Sequence, residues 1–214
     1  MRYNASVVSV MRLFVLRHGE TEWSRTRRFT GARDIALTAR GQQQAEAACA
    51  ALAGLTVHGV YASPLERART SAEIIAKPHQ LAVEVDARFT EMRFGEWEGL
   101  TREEAAATTP GIYEQWRRTP SLAVPPGGEG LPAVGVRVGA AMADLQARHT
   151  DQTVVLVTHA VVIRLIVLAA LGLPVDRLWS VDASPGGLTE IEYRPGWVTV
   201  HRMNTLSHLD GVPA

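Results

Sequence analysis

The stretch from Thr153 to Leu173 constrains this chain more than any other. It is apolar over nearly the length needed to span a bilayer. His159 and Arg164 interrupt it, however, and its character changes at His159. Before that residue it is β-branched (Val154, Val155, Val157), which favours a strand. After it, Leu and Ala dominate, which favours a helix. The stretch therefore reads as a buried strand over Thr153–Val157, a turn at Thr158-His159, and a buried helix from about Val161 to Leu171. That reading explains the stretch better than a membrane span does.

The same grammar extends along the chain. Arg12 to Leu16 forms a short buried strand that stops at Arg17-His18-Gly19. Thr38 reads as the N-cap of a helix over Ala39–Leu52. A strand at Val60-Tyr61-Ala62 is followed by Ser63-Pro64, an N-cap with proline in the first helical position, and that helix ends before Pro78. Leu81 to Val85 is an edge strand, and Thr101 to Glu104 fit a capping box. Another helical piece covers Ile112–Arg118, and Pro120–Pro132 is a loop. A helix then ends near His149, and a hairpin joins Leu188–Tyr193 to Trp197–His201 through Arg194-Pro195-Gly196.

Strands alternating with helices give the fold class α/β, a three-layer sandwich with a central, mainly parallel sheet flanked by helices. The 214 residues suit a single domain over 1–214. Within it, residues 1–10 are a loose extension, and about 91–132 form an inserted cap of helices and loops over the active site.

Composition narrows the partners. The 22 basic and 22 acidic residues cancel, so no long-range field draws the chain to nucleic acid or to an anionic membrane. Any anion site must be local. Lys77 is the only lysine, so nearly all the positive charge is arginine, the better fork for phosphate. Cys49 is the only cysteine. It allows no internal disulfide and points to a reducing, cytoplasmic compartment. Met1 to Val10 lacks the pattern of a signal peptide. No metal is expected, and the chain is a monomer or a small homo-oligomer.

In open α/β sheets, ligands sit beyond the carboxyl ends of the strands. Three segments place polar residues there: Arg17-His18-Gly19, Ser63 to Arg67, and Thr158-His159. Two arginines and two histidines at one edge suit a phosphoryl group. Arg17 and Arg67 can fork its oxygens, and Gly19 lets the backbone pass close to the ligand. The helix after His159 aims free N–H groups at the anion. A neutral His18 can attack phosphorus in line, and nearby arginines favour the neutral ring. His159 can donate to the charge that develops on the equatorial oxygens. An acid must protonate the departing alcohol. Glu91, Asp86, Glu96 and Glu98 all lie in the right region, and spacing alone does not separate them.

The runs Leu16-Arg17-His18-Gly19-Glu20-Thr21, Ser63-Pro64-Leu65-Glu66-Arg67-Ala68, Glu91 to Gly99, and Val157-Thr158-His159 closely resemble the histidine phosphatase superfamily, in its phosphoglycerate mutase-like branch. The resemblance covers about Met11 to the final hairpin. It implies that His18 is phosphorylated, that Arg17, Arg67 and His159 bind phosphate, and that Glu91 is the proton donor, with no cofactor. Thr30-Gly31 match a substrate-contacting pair. Ser24 stands where the family commonly has a phosphate-contacting Asn, and its hydroxyl can donate with shorter reach. Ala160 replaces a frequent Gly, keeping its N–H. The Pro125–Glu129 loop resembles the lid region of the α-ribazole phosphatases, Asn204 to Leu209 resemble their tail, and Gly130 replaces a common Ser.

The resemblance thus implies a histidine acid phosphatase-type phosphomonoesterase whose partner is a small phosphorylated metabolite, with α-ribazole phosphate, a sugar phosphate and a phosphoglycerate as candidates. A 2,3-bisphosphoglycerate-dependent phosphoglycerate mutase is the alternative. It is disfavoured because the chain is short for one and the insertion lacks an obvious basic cluster beyond Arg102, Arg117 and Arg118 to hold a substrate carboxylate. A weakly catalytic phosphate-binding module comes third. Of the remaining residues, His58, His79 and His149 read as surface positions, Arg164 as half of a structural ion pair, and Trp97, Trp116 and Trp179 as core or lid anchors.

Overall fold

A computed structural model describes residues 10–213. The extension placed at residues 1–10 therefore lies, apart from Val10, outside the described residues. One six-stranded sheet has the order β3-β2-β4-β1-β5-β6. Its strands are β1 (Met11–Arg17), β2 (Gly59–Ala62), β3 (Val83–Val85), β4 (Thr153–Thr158), β5 (Leu188–Arg194) and β6 (Trp197–Thr205). β1 pairs with β4, β4 with β2, and β2 with β3, all parallel. The β5–β6 hairpin joins the other edge of β1 in antiparallel fashion. The sheet is thus mainly parallel, with β3 and β6 at its edges.

Alternation along the strands builds the layers. Leu13 and Val15 of β1, with Val154 and Leu156 of β4, pack into one apolar cluster with α6 (Leu131–Arg148) and α7 (Ala160–Ala170). Phe14, Leu16, Val155 and Val157 face the opposite way, against α2 (Ala39–Leu52) and α3 (Glu66–Ala76). Because helices cover both faces, these strands are apolar throughout. No described helix is long and apolar enough to cross a membrane, and α7 has only 11 residues.

Caps set the helix starts. Thr38 Oγ1 accepts from the Gly41 N–H at 3.0 Å. Thr101 and Glu104 cap reciprocally the start of α4 (Arg102–Thr108). A short α1 (Glu22–Arg25) begins the same way, on Thr21 and Ser24. Ser63 is different from the sequence expectation. α3 starts at Glu66 behind Leu65, which makes no side-chain cap. The Ser63 N–H still donates into the sheet, to Val157 O at 3.2 Å, so the backbone there is extended and a helix cannot yet begin.

Between β3 and α6 lie 3₁₀ turns, α4 and α5 (Pro110–Arg118). Phe89, Met92, Phe94, Trp97 and Trp116 from this region are buried in the α6–α7 cluster, so Trp97 and Trp116 anchor it to the core. His149 corrects a further expectation. It is buried, with Nε2 2.7 Å from the Tyr61 hydroxyl and Nδ1 2.6 Å from Gln152 Oε1. Its polar atoms are partnered within the fold, which is why a histidine is tolerated there.

Register sets the functional edge. Leu16 lies opposite Val157, and Val157 opposite Ala62, so β1, β4 and β2 end at one level. The turn after β1 is then pressed onto α2. A Cβ on Gly19 would lie 2.1 Å from Gly41 O, and one on Gly41 would lie 2.1 Å from Glu20 O. The obstacle in both cases is backbone, which cannot swing aside. Gly19→Ala should therefore destabilise the protein by roughly 3 kcal/mol, read as a lower urea midpoint at unchanged m-value. A change below roughly 0.5 kcal/mol would show that this approach is not tight.

Candidate active site

His18, Ser63 and His159 are the residues immediately after β1, β2 and β4. Beside them opens a cavity of about 600 Å³. Arg17, His18, Ser24, Thr30, Gly31, Arg67, Glu91 and Ala160 line it. Gly19 and His159 are not on its wall. His159 is fully buried, with its ring centroid 5.1 Å from that of His18.

The tautomer of His18 follows from its neighbours. Nδ1 lies 2.7 Å from Gly19 O, and a carbonyl can only accept, so Nδ1 carries the proton. Nε2 then holds the lone pair, and it accepts from Arg67 Nε at 3.2 Å. Burial, then Arg67 and Arg17, hold the His18 pKa well below the usual histidine range, against the Gly19 hydrogen bond. His159 is depressed likewise by burial, then by Arg67, His18 and Arg17. Its Nε2 lies 2.7 Å from Ser63 Oγ. Ser63 Oγ also accepts from the Leu65 N–H at 3.3 Å, and its own proton can be donated to His159 Nε2. His159 Nδ1 is buried and has no partner among the described residues.

Backbone carbonyls orient the two arginines. Arg67, fully buried, donates to Arg33 O at 2.6 Å and Gly31 O at 2.8 Å. Gly31 can offer that carbonyl because its φ is +55° and a Cβ there would strike Glu98. Arg17 donates through Nη1 to Ala183 O at 2.6 Å, while its buried Nε has no partner among the described residues. Asn204 steadies that carbonyl's loop, accepting from Ser184 N at 2.8 Å and donating to Asp182 at 2.9 Å. Burial lowers both arginines to about 10, so both remain cationic at neutral pH.

Geometry separates the four carboxylates. Only Glu91 lines the cavity. Asp86 caps the turn at Ala87 and pairs with Arg88. Glu98 accepts from Ala32 N and Phe94 N, both at 3.1 Å. Glu96 is exposed. Glu91 accepts from its neighbour Met92 N at 2.9 Å and from Val161 N, at the start of α7, at 3.3 Å. The helix N-terminus expected to face a free anion thus has one N–H directed at Glu91. Arg137 braces the Glu91 segment, donating to Arg88 O at 2.7 Å and Thr90 O at 2.6 Å while pairing with Glu129 at 3.0 Å. The sequence carried no signal for Arg137, since its partners lie far away in the chain.

Several local expectations change. Gly19 makes its close approach to α2. The Ser24 hydroxyl donates to Thr21 O at 3.0 Å and accepts from Thr21 N at 2.9 Å, so its proton is already committed. The Pro125–Glu129 loop packs on Arg93 to Glu96, through Glu96 N to Pro126 O and Glu129 N to Arg93 O, and does not line the cavity. Gly130 is the N-cap of α6, so its missing hydroxyl costs a cap. Arg164 does line it, held by Val181 O at 2.9 Å, near Asp182 at 3.8 Å and over Trp179. Arg27, Arg28, Arg102 and Arg117 complete its basic lining. Among the described residues, no three His, Cys, Asp or Glu side chains group as metal ligands.

A cavity built on paired histidines and arginines at parallel strand ends points to a class, and comparison with known proteins gives that class independently. Residues 13–206 match the model of the histidine phosphatase superfamily (branch 1), and the chain belongs to that family of enzymes. It is 30% identical over 200 residues to Phosphoserine phosphatase 1 of Hydrogenobacter thermophilus, covering 94% of this chain and 95% of that one. It is also 30% identical to the Adenosylcobalamin/alpha-ribazole phosphatase of Escherichia coli, covering 91% and 96%. The solved structure of Bacillus stearothermophilus YhfR superposes with a TM-score of 0.88 at 32% identity, covering 94% of this chain and all of that one.

Two buried neutral histidines tie stability to pH. Below the ordinary histidine pKa of about 6.5, the unfolded chain takes up protons that folded His18 and His159 refuse. Stability therefore falls as pH drops below that value, with a slope approaching about 1.4 kcal/mol per pH unit for each histidine. Urea unfolding between pH 7.5 and 5 should show the decline, and the His18→Asn/His159→Asn protein should show a shallower one. Identical slopes would exclude these two groups as its cause.

Proposed function

We propose that this enzyme is a phosphatase that hydrolyses a small phosphomonoester through a phosphohistidine on His18, with Glu91 as proton donor. The carrying observation is the fixed tautomer of His18, whose Nε2 lone pair accepts from Arg67 beside a cavity lined by Arg17, Arg67 and Glu91. Both curated relatives above bear phosphatase names, which supports water as the final acceptor.

In the first step the Arg67 Nε–H turns from Nε2 to a phosphoryl oxygen, and Nε2 attacks phosphorus. The nitrogen–phosphorus bond forms as the bond to the ester oxygen breaks, and that oxygen takes the proton of Glu91. Arg17 Nε, Arg67 and the unpartnered His159 Nδ1 donate to the equatorial oxygens, where charge builds. The Gly19 carbonyl keeps the proton on Nδ1 hydrogen-bonded throughout. In the second step the Glu91 carboxylate removes a proton from water, which attacks phosphorus. The nitrogen–phosphorus bond then breaks, releasing inorganic phosphate and neutral His18.

Rapid quench with a radiolabelled phosphomonoester should trap acid-labile, base-stable phosphate on His18, and His18→Ala should lose both label and turnover. Label on another residue would sink the mechanism. Glu91→Gln should slow the burst phase with an alkyl phosphate by roughly two to four orders of magnitude. With p-nitrophenyl phosphate, whose leaving group departs unprotonated, the burst should change far less. Equal losses for the two esters would place the acid elsewhere.

A further inference from the structure

We propose that Arg137 and Glu129 are positioning residues for the proton donor, fixing where the Glu91 carboxyl stands in the cavity through the main chain that carries it. The inference deepens the reading above and rests on it, since Glu91 is taken to be the acid.

His18 and His159 hang from the parallel ladder, whereas Glu91 does not. It lies beyond β3, between the short 3₁₀ turns Ala87–Phe89 and Gly95–Trp97. Among the described residues, no backbone N–H reaches the carbonyls of Arg88, Phe89, Thr90 or Glu91. Main chain without such partners must be held by other donors, and side chains supply them. Thr158 Oγ1, in the residue before His159, donates to Phe89 O at 2.7 Å. Arg137, in the second turn of α6, takes the other three. Its Nη1 donates to Arg88 O at 2.7 Å and to Thr90 O at 2.6 Å, and its Nη2 to Glu91 O at 3.3 Å.

Glu129 aims that guanidinium. Its carboxylate accepts from Nε at 3.0 Å and from Nη2 at 3.1 Å, the two-pronged pairing that fixes the plane of a guanidinium as well as its distance. Five N–H groups thus meet five acceptors, and three of those acceptors belong to the segment that carries the acid. Arg137 does not line the cavity, so any effect on the reaction runs through the segment it holds. The carboxyl itself is then met by the Met92 and Val161 N–H groups. A lysine, with three donors and no plane, cannot reproduce this arrangement.

The test is the dependence of kcat/KM on the leaving group, over p-nitrophenyl, p-chlorophenyl and phenyl phosphate, with the full chain. This constant reports the steps through phosphorylation of His18, in which the departing oxygen takes the proton of Glu91. A displaced acid harms the poorest leaving group most. Arg137→Met should therefore lower kcat/KM for phenyl phosphate by roughly tenfold to a hundredfold, and for p-nitrophenyl phosphate by less than about threefold. Glu129→Gln should steepen the dependence in the same direction by a smaller factor, and it carries the test if urea unfolding shows that Arg137→Met does not fold. Arg137→Lys should restore little. Added to Glu91→Gln, Arg137→Met should steepen the dependence no further, because both act on one proton transfer. Equal losses across the three esters, no loss in either variant, or further steepening in the double variant would overturn the proposal. If Glu91→Gln itself leaves the dependence unchanged, the acid assignment falls and this proposal with it. If Glu91→Gln steepens it while the Arg137 and Glu129 variants do not, the positioning role falls alone.

Discussion

The parallel ladder that sets Leu16 opposite Val157, and Val157 opposite Ala62, ends three strands at one level. The first residues beyond it are His18, Ser63 and His159. The ladder itself runs one step further, with His18 N donating to Thr158 O at 3.0 Å and Ser63 N to Val157 O. The backbones under both histidines are therefore held by sheet hydrogen bonds, as rigid a support as a protein offers. A slip of one residue would send alternate side chains to the other face and separate the rings. The apolar alternation that feeds two helical layers is also what makes such a slip prohibitive.

Rigid placement alone would not set the state of the His18 ring. Burial and two guanidinium groups keep His18 neutral, and the Gly19 carbonyl decides which nitrogen is free. The arginines are anchored in a way that preserves their charge. Arg67 is held by the carbonyls of Gly31 and Arg33, and Arg17 by that of Ala183. A carboxylate partner would have neutralised them, whereas a carbonyl orients a guanidinium and leaves its full charge for the ligand. The depressed histidines cost stability below neutral pH, a cost that fits a site organised for an anion.

Much of this was legible in the sequence because the signals were local. The Thr38 cap, the Thr101–Glu104 box, the two buried strands and the turn at His159 each depend on residues within a few positions of one another. Errors arose where a distant partner overrode a local preference. Ser63 reads as a helix cap, yet the β4 ladder holds it extended and His159 takes its hydroxyl. His149 reads as a surface residue, yet Tyr61 and Gln152 satisfy it in the interior. Spacing could not separate Glu91 from Glu96 and Glu98, because what separates them is the Val161 N–H on one side and the Ala32 N–H on the other. The Ser24 hydroxyl looked available only while its partners within Thr21 were unseen.

The basic lining shows most clearly what reading along a chain conceals. Counted within the insertion, cations are few: Arg102 and Arg117 reach the cavity, and Arg118 is taken by Glu114. Counted around the cavity they are many, because Arg27 and Arg28 arrive from the loop after α1 and Arg164 from the second turn of α7. The Pro125–Glu129 loop, which looked like the lid, instead braces Glu91 through Glu129 and Arg137. The charge around the cavity is therefore set by several segments that converge upon one volume. A change in any one segment would alter the strength of that field without dismantling the strand-end cluster of His18, Arg17 and Arg67 beneath it.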